Sequence, residues 1–442
     1  MMELMRYFMT RVIVVLAALA GVSAQAAEVV VFRFDDTVHP ASRDFIERCL
    51  DEAAARRAAL VVMEIDTPGG LVDATRDITS AITGSPVPVV VWVEPAGARA
   101  ASAGFFILVS ADVAAMAPGT NTGAATPILM SIIPTGGDAQ PSDEMKAKIT
   151  NDTTAMIRSF ASARHRNMDL AVKAVTEALS FTADEALEGG LIDLVSGDLD
   201  DLLDRLDGRE VRRFDGSMET LDLGARSITR LEPSRLEKFQ FFLASPLVAL
   251  LLMALAAVGI FTEITHPGGV VPGVVGVIAL LLFLYSTTVL PVNWLAFLLI
   301  AAALVLFVLE VKVVSYGLLT AAGVVAFVVG AILLFDGPIP EMRLGLGAVL
   351  PTALVVAGFS LFLVRRVVWA HRNRPATGRE GLVGEIGRVV RDLEPRGKVL
   401  VHGEYWDAVT TGPSLAAGAD VRVVVVEERL LRVEPAHPME GD

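Results

Sequence analysis

The chain has 442 residues, 53% of them apolar, and a formal net charge of -14 at pH 7. That length allows roughly two to four domains, and the acidic balance argues against general nucleic-acid binding, which needs a basic surface. A single cysteine, Cys49, excludes an intrachain disulfide framework and any multi-cysteine metal site; its helical neighbours make it a packed thiol.

Residues 1–27 have the three parts of a signal peptide. Arg6 and Arg11 supply positive charge, Val12 to Gly21 form an apolar core, and Ala24-Gln25-Ala26 is a small-x-small cleavage signal. The core is short for a spanning helix, so cleavage is expected. An uncleaved anchor would keep the same orientation, with everything after Glu28 outside the inner membrane.

From residue 29 to about residue 200 the pattern is α/β. Val29 to Phe34 predicts a strand and Ala41 to Ala59 a helix; Leu60 to Ile65 is a near-continuous apolar strand ending in Asp66-Thr67-Pro68-Gly69-Gly70. A helix over Leu71 to Ile82 and a strand over Pro88 to Val93 follow. Strands that alternate with helices predict a sheet covered on both faces. Neither GxGxxG nor GxxxxGK[ST] occurs, so nucleotide binding has no support.

Two small-residue corners could carry chemistry. In Gly97-Ala98-Arg99-Ala100-Ala101-Ser102-Ala103-Gly104, a serine flanked by alanine and glycine can open a helix with its hydroxyl and the next N–H accessible. Serine needs a base to act as nucleophile; otherwise it is a helix cap in a tight turn. The glycines of Pro68-Gly69-Gly70 can expose N–H groups to a developing oxyanion, or simply turn the chain between strand and helix. For the base, His39 and His165 have no diagnostic spacing to Ser102. Lys146 and Lys148 fall in a predicted helix from Ser142 to Ala163, whose packed side is marked by Met145, Ile149, Met156 and Phe160. Two residues apart, the lysines point in different directions, and periodicity does not choose between them.

These segments, with Ala115-Met116-Ala117-Pro118-Gly119-Thr120-Asn121-Thr122-Gly123-Ala124-Ala125-Thr126-Pro127, resemble the NfeD membrane-bound serine proteases. The resemblance implies a ClpP/crotonase-like α/β protease domain related to signal peptide peptidase A. It also implies a Ser–Lys dyad without cofactor or metal. Ser102 falls on the nucleophile, and Lys148, which opens Lys148-Ile149-Thr150-Asn151, on the general base; Gly70 and Ala103 fall on the oxyanion donors. Arg166-Asn167, Ala183-Asp184-Glu185-Ala186-Leu187 and Gly190-Leu191-Ile192-Asp193 extend the match. Two departures stand out. His165 replaces the glycine that usually precedes Arg-Asn, and the stretch from Ile128 to Glu144, with Pro134-Thr135-Gly136-Gly137, is longer than a minimal version.

Apolar stretches at about 243–263, 270–290, 293–311, 316–335 and 344–364 each approach the roughly 20 residues of a spanning helix. Arg365, Arg366, Arg372, Arg374 and Arg379 follow the last one and mark a cytoplasmic side. Glu263, Glu310 and Lys312 lie at span ends, an interfacial placement rather than a transport path. From Gly381 on, five short strands in about 55 residues predict a small all-β barrel. Gly381-Leu382-Val383-Gly384 and Gly403-Glu404-Tyr405-Trp406-Asp407-Ala408 resemble the family's OB-fold domain, with Trp406 in the core or at a protein contact. The expected division is a signal peptide (1–27), a protease domain (28–235), a membrane region of about five spans (236–368) and an OB-fold domain (378–435).

The resemblance implies cleavage of hydrophobic segments of membrane-associated proteins, a stomatin- or prohibitin-like partner and a homo-oligomer. The protease domain is expected outside the inner membrane and the C-terminal domain in the cytoplasm, with no nucleic acid bound. Two other functions compete. One is a non-catalytic membrane scaffold, indifferent to Ser102; the other is a crotonase-fold enzyme acting on thioesters, for which no coenzyme-specific residues can be named.

Overall fold

The computed structural model describes residues 26–127, 142–265, 270–290, 292–313, 315, 317–335, 343–372 and 379–436. Nearly all of the expected signal peptide, and most of the stretch from Ile128 to Glu144, lie outside them. The chain divides into two compact units, residues 1–360 and 361–442.

The first unit opens with β1 (Ala27–Phe34), α1 (Pro40–Arg56), β2 (Leu60–Ile65), α2 (Val72–Gly84) and β3 (Val89–Val93). Next come β4 (Arg99–Ala101), α3 (Ala103–Ser110), β5 (Val113–Met116), β6 (Asn121–Gly123), α4 (Asp143–Ala163), α5 (Met168–Thr176), β7 (Ser180–Thr182) and α6 (Ala183–Glu188). The α/β part ends with β8 (Leu194–Val195), α7 (Leu199–Leu206), β9 (Glu210–Arg212), β10 (Met218–Thr220), β11 (Arg226–Leu231) and α8 (Arg235–Leu243). The main sheet has the order β11-β1-β2-β3-β5-β8, and every pairing in it is parallel.

A parallel sheet needs cover on both faces, and the apolar runs provide it. Alternate residues of β2 face opposite ways. Val61, Met63 and Ile65 join a core with Phe45, Ile78 and Phe105 from the helices; Leu60 and Val62 join one with Trp92, Leu202, Leu203 and Leu206. Cys49 is fully buried in the first core, as expected, and burial pushes its thiol up to about 12. A second sheet, β4-β6-β7, lies at the corner that carries Ser102.

The same unit continues into α9 (Pro246–Thr265), α10 (Val271–Val289), α11 (Trp294–Lys312) and α12 (Leu318–Leu334), and it ends within α13 (Leu346–Arg372). These helices match the five apolar stretches. The first two are long and apolar enough to cross a membrane; the apolar parts of α11 (Trp294–Glu310) and α13 (Leu346–Gly358), and α12, are shorter. Close packing pairs α9 with α10, where a Cβ on Gly276 would lie 2.7 Å from the Ile260 nitrogen, as small residues allow between membrane helices. Glu310 has a structural role: it accepts hydrogen bonds from the Ser315 hydroxyl (2.6 Å) and the Gly317 and Thr320 N–H groups (both 3.0 Å) at the start of α12.

The second unit holds β12 (Ile386–Arg391), β13 (Arg396–Val401), β14 (Glu404–Thr410), β15 (Asp420–Glu427) and β16 (Leu430–Pro435). They close into a barrel in the order β12-β13-β14-β16-β15. β14 runs parallel to β16, and the other pairings are antiparallel. Val389, Val399, Ala408, Val423 and Val433 fill the interior, and Trp406 packs against it half-buried. The parts follow the expected order: a ClpP-like α/β domain, a helical membrane block and a five-stranded OB-like barrel.

Candidate active site

Ser102 occupies the single position between β4 and α3, at φ 52° and ψ -112°. A non-glycine residue is rarely found there, and holding one costs roughly 1–3 kcal/mol. Backbone hydrogen bonds on both flanks hold it. Its N–H donates to the Gly123 carbonyl (2.9 Å), and its carbonyl accepts from the Phe105 N–H (3.1 Å). β4 is fixed on one side by its parallel register with β6, reinforced by the Thr122 hydroxyl on the Ala100 carbonyl (2.7 Å). On the other side the Thr67 N–H donates to the Arg99 carbonyl (2.7 Å), and the Ala101 N–H donates to the Thr67 carbonyl (3.1 Å). Asp66 adds a carboxylate that accepts from the Arg99 N–H (3.0 Å). The two corners singled out in the sequence therefore form one structure.

Gly69 brings the Pro-Gly-Gly turn onto the serine. A Cβ at Gly69 would lie 2.6 Å from Ser102 Cβ and 3.0 Å from Oγ, and its φ of +117° also demands glycine. One residue on, a Cβ at Gly70 would fall 2.1 Å from the Val38 carbonyl oxygen. Among the described residues, the N–H groups of Gly70 and Ala103 donate to no protein acceptor. Ala103 is the first residue of α3, where N–H groups lack intrahelical partners. A half-buried hydroxyl with two unengaged N–H groups in the adjoining segments is an arrangement that could serve acyl transfer.

The far end of α3 is held by two buried arginines. Arg164 donates to the Ser110 carbonyl (3.0 Å) and to Asp112 (2.7 Å). Arg166 donates to the Val109 and Ala111 carbonyls and to Asp193 (2.7 Å). Cations at the carbonyl end complement the dipole of the helix whose opposite end is Ser102. Arg213 also donates to Asp112 (2.6 Å). Burial keeps the Asp112 carboxyl above its ordinary range despite Arg164 and Arg213, and it lowers the Arg164 guanidinium. Burial works the same way on Asp193, but Arg166 and the Ala114 N–H outweigh it and hold that carboxyl low.

The lysines are placed less firmly. Lys148 lies in the second turn of α4, exposed, and among the described residues it makes no hydrogen bond or ion pair. Asp152, one turn on and on the same face, pairs with Arg76 of α2 (2.7 Å), the helix that follows Gly70. Lys146 is half-buried. Helical periodicity sets it on the side of Thr153, Thr154, Ile157 and Ala161, the buried residues of α4. The structure thus distinguishes two positions that periodicity in the sequence left equal.

His39 and His165 both have structural roles. His39 caps α1, its Nδ1 accepting from the Ser42 N–H (3.2 Å). Among the described residues no three His, Cys, Asp or Glu side chains are grouped to hold a metal.

Comparison with known proteins follows the same division. Residues 28–212 match the model of the N-terminal domain of NfeD1b, 247–366 that of the NfeD integral membrane domain, and 379–435 that of the NfeD-like C-terminal, partner-binding domain. The membrane-bound protease PH1510 of Pyrococcus horikoshii is 34% identical over 394 residues, covering 86% of this chain and 87% of its own. The chain belongs to the NfeD family of membrane-bound proteases. Membrane protein NfeD1b of Bacillus subtilis is 26% identical over 426 residues, covering 91% of this chain and 92% of its own. Two solved structures of 1510-N, named as a membrane-bound stomatin-specific protease, are each 34% identical, with TM-scores of 0.44 over 48% of this chain. They cover 100% and 96% of their own chains; one is a serine-to-alanine mutant, the other a lysine-to-alanine mutant in complex with a substrate peptide.

The departure at His165 has a physical explanation. This residue follows α4 at φ 54°, the left-handed position past a helix end where glycine is favoured. Histidine holds it with a contact between its ring and the Arg212 guanidinium. The segments that extend the NfeD resemblance also meet. Arg166 pairs with Asp193, and Asn167 donates to the Gly189 carbonyl (2.9 Å) through its side chain and to the Gly190 carbonyl (3.0 Å) through its N–H. Arg164, Asp112 and Arg213 were not singled out in the sequence; only their joint burial marks them.

Proposed function

We propose that this chain is a membrane-anchored serine endopeptidase that uses a Ser102–Lys148 dyad to cleave hydrophobic segments of membrane-associated proteins. The supporting observation is the strained Ser102 packed against Gly69, with the Gly70 and Ala103 N–H groups unengaged beside it. In the proposed mechanism, neutral Lys148 takes the proton from Ser102 Oγ as the oxygen attacks the peptide carbonyl. The Gly70 and Ala103 N–H groups stabilise the oxyanion. The lysine returns its proton to the leaving amine, and it then activates the water that hydrolyses the acyl-enzyme.

Lys148 makes no hydrogen bond to Ser102 in the described structure, so on this assignment the Ser–Lys contact would form when substrate binds. A second assignment, Lys146 as the base, is favoured by its place on the packed side of α4. The proposed layout puts residues 28–235 outside the inner membrane after removal of the signal peptide, residues 236–368 in the bilayer and 378–435 in the cytoplasm. A stomatin- or prohibitin-like membrane protein is the proposed partner, and a homo-oligomer the proposed assembly.

The test is acylation by a serine-directed probe, and hydrolysis of a hydrophobic peptide, by the full chain in detergent. Ser102→Ala removes one oxygen, so the fold should persist while both activities fall about a thousandfold or more. Lys148→Ala should fall comparably and Lys146→Ala little. Lys148→Arg should not rescue, because a guanidinium stays protonated. Full activity in folded Ser102→Ala would sink the protease assignment in favour of the scaffold. Loss at Lys146 alone would move the base.

A further inference from the structure

The juxtamembrane helix α8 carries an apolar ridge that the rest of the fold leaves uncovered. Leu236, Phe239 and Phe242, three residues apart, are 67%, 45% and 57% exposed, and at 100° per residue they share one face. The opposite face is anchored. Buried Glu237 accepts two hydrogen bonds from Arg48 of α1 (2.7 and 3.0 Å), and Phe241 meets Phe45 edge-on at 5.9 Å. A capping box of Ser234 and Glu237 fixes the start of the helix.

Continuity with the membrane block decides what covers the ridge. α8 ends at Leu243 and α9 begins at Pro246, so the two ends are at most about 11 Å apart along the chain. The headgroup layer on each side of a bilayer is roughly 5–8 Å deep. The end of α8 therefore cannot be far from that layer. The uncovered apolar surface also continues into Leu247, Leu251 and Leu255 of α9, and exposed Arg235, at the N-terminal end of the same face, can extend to lipid phosphates, while Lys238 on the flank pairs with Glu232 (3.3 Å). We propose that α8 is an interfacial helix whose Leu236, Phe239 and Phe242 insert into the lipid surface. Through Glu237–Arg48 and Phe241–Phe45 it would hold the α/β domain against the membrane in one orientation. A cleft of about 450 Å³, lined by Asp35, Asp66, Pro68 and Arg99 with Phe241 and Pro246, would then open at the membrane surface. This placement goes beyond the protease assignment and does not depend on it.

The test uses the full chain in vesicles of phosphatidylcholine and phosphatidylglycerol. Native Cys49 is buried, with its thiol pushed up to about 12, and stays unlabelled near neutral pH. Nitroxides at Leu236→Cys, Phe239→Cys, Phe242→Cys and, as a solvent control, Lys173→Cys are then read for collision with oxygen and with a water-soluble nickel chelate. The three α8 labels should collide severalfold more with oxygen than with the chelate, and the control should do the reverse. Control-like values at all three overturn the proposal. So does exclusion of both reagents with spin–spin broadening, which would mean that a second copy of the chain covers the ridge.

Discussion

The two halves of the candidate site are built differently. Around Ser102 every element is locked by backbone hydrogen bonds from β6, the Thr67 turn and the first turn of α3, with Gly69 packed against the side chain. The start of α4 has none of this: Lys148 is exposed, and among the described residues it has no partner. Yet the far end of α4 runs directly into Arg164 and Arg166, which grip the carbonyl end of α3. Ser102 and Lys148, the proposed nucleophile and base, thus lie on segments joined at the end remote from the proposed chemistry. Such a site would keep the proposed oxyanion geometry rigid while leaving the turn that carries Lys148 less constrained.

The largest effect that would break this picture is loss of the remote joint. Arg164→Leu leaves buried Asp112 with only Arg213 and the Val89 N–H and takes the donor from the Ser110 carbonyl, and breaking a buried pair by removing one partner should cost about 3 kcal/mol or more. The thermal transition of the α/β domain should fall by roughly 6–12 °C. Loss of less than a degree would show that the joint does not hold the two helices together.

Next is the rigid half itself. Gly69→Ala drives a methyl to 2.6 Å from Ser102 Cβ at a φ that favours glycine, at an expected cost of about 2 kcal/mol with loss of probe acylation. Lys148→Gln, in the loose half, should change stability by less than about 0.5 kcal/mol. Urea denaturation of the two variants side by side would measure the contrast. Equal costs would mean that α4 is as firmly packed as the serine corner.

The smallest change acts where α4 ends. His165→Gly relieves a left-handed residue and should stabilise by about 1 kcal/mol, less whatever the Arg212 contact contributes. A calorimetric rise of a few degrees is expected; a fall would show that the histidine–arginine contact outweighs the backbone strain.

Much of this architecture follows from local sequence. Strands β1, β2 and β3, helix α2, the first four membrane helices and the barrel strands all lie within a few residues of where apolar periodicity puts them, while α13 runs on past residue 364 to Arg372. Their boundaries depend on near neighbours: the apolar run of Leu60 to Ile65, the turn at Pro68-Gly69-Gly70, Pro40 at the start of α1. Ser102, Gly70 and Ala103 were legible as small-residue corners for the same reason. Strand β11, at the sheet edge beside β1, was not, because its half-exposed residues carry no clear apolar pattern.

Tertiary structure alone decided the rest. No local pattern says that Gly69 meets Ser102, that Arg166 pairs with Asp193, or that Arg164 and Arg213 converge on Asp112. These partners are brought together by the crossover connections of a parallel sheet, across separations of 27 to 101 residues for the arginine pairs. Buried ion pairs leave no periodic trace, since each partner looks like an ordinary surface charge until the fold removes its water. The two lysines show the same limit. They stand two residues apart on one helix, and only the packing of α4 against its neighbours gives them different surroundings.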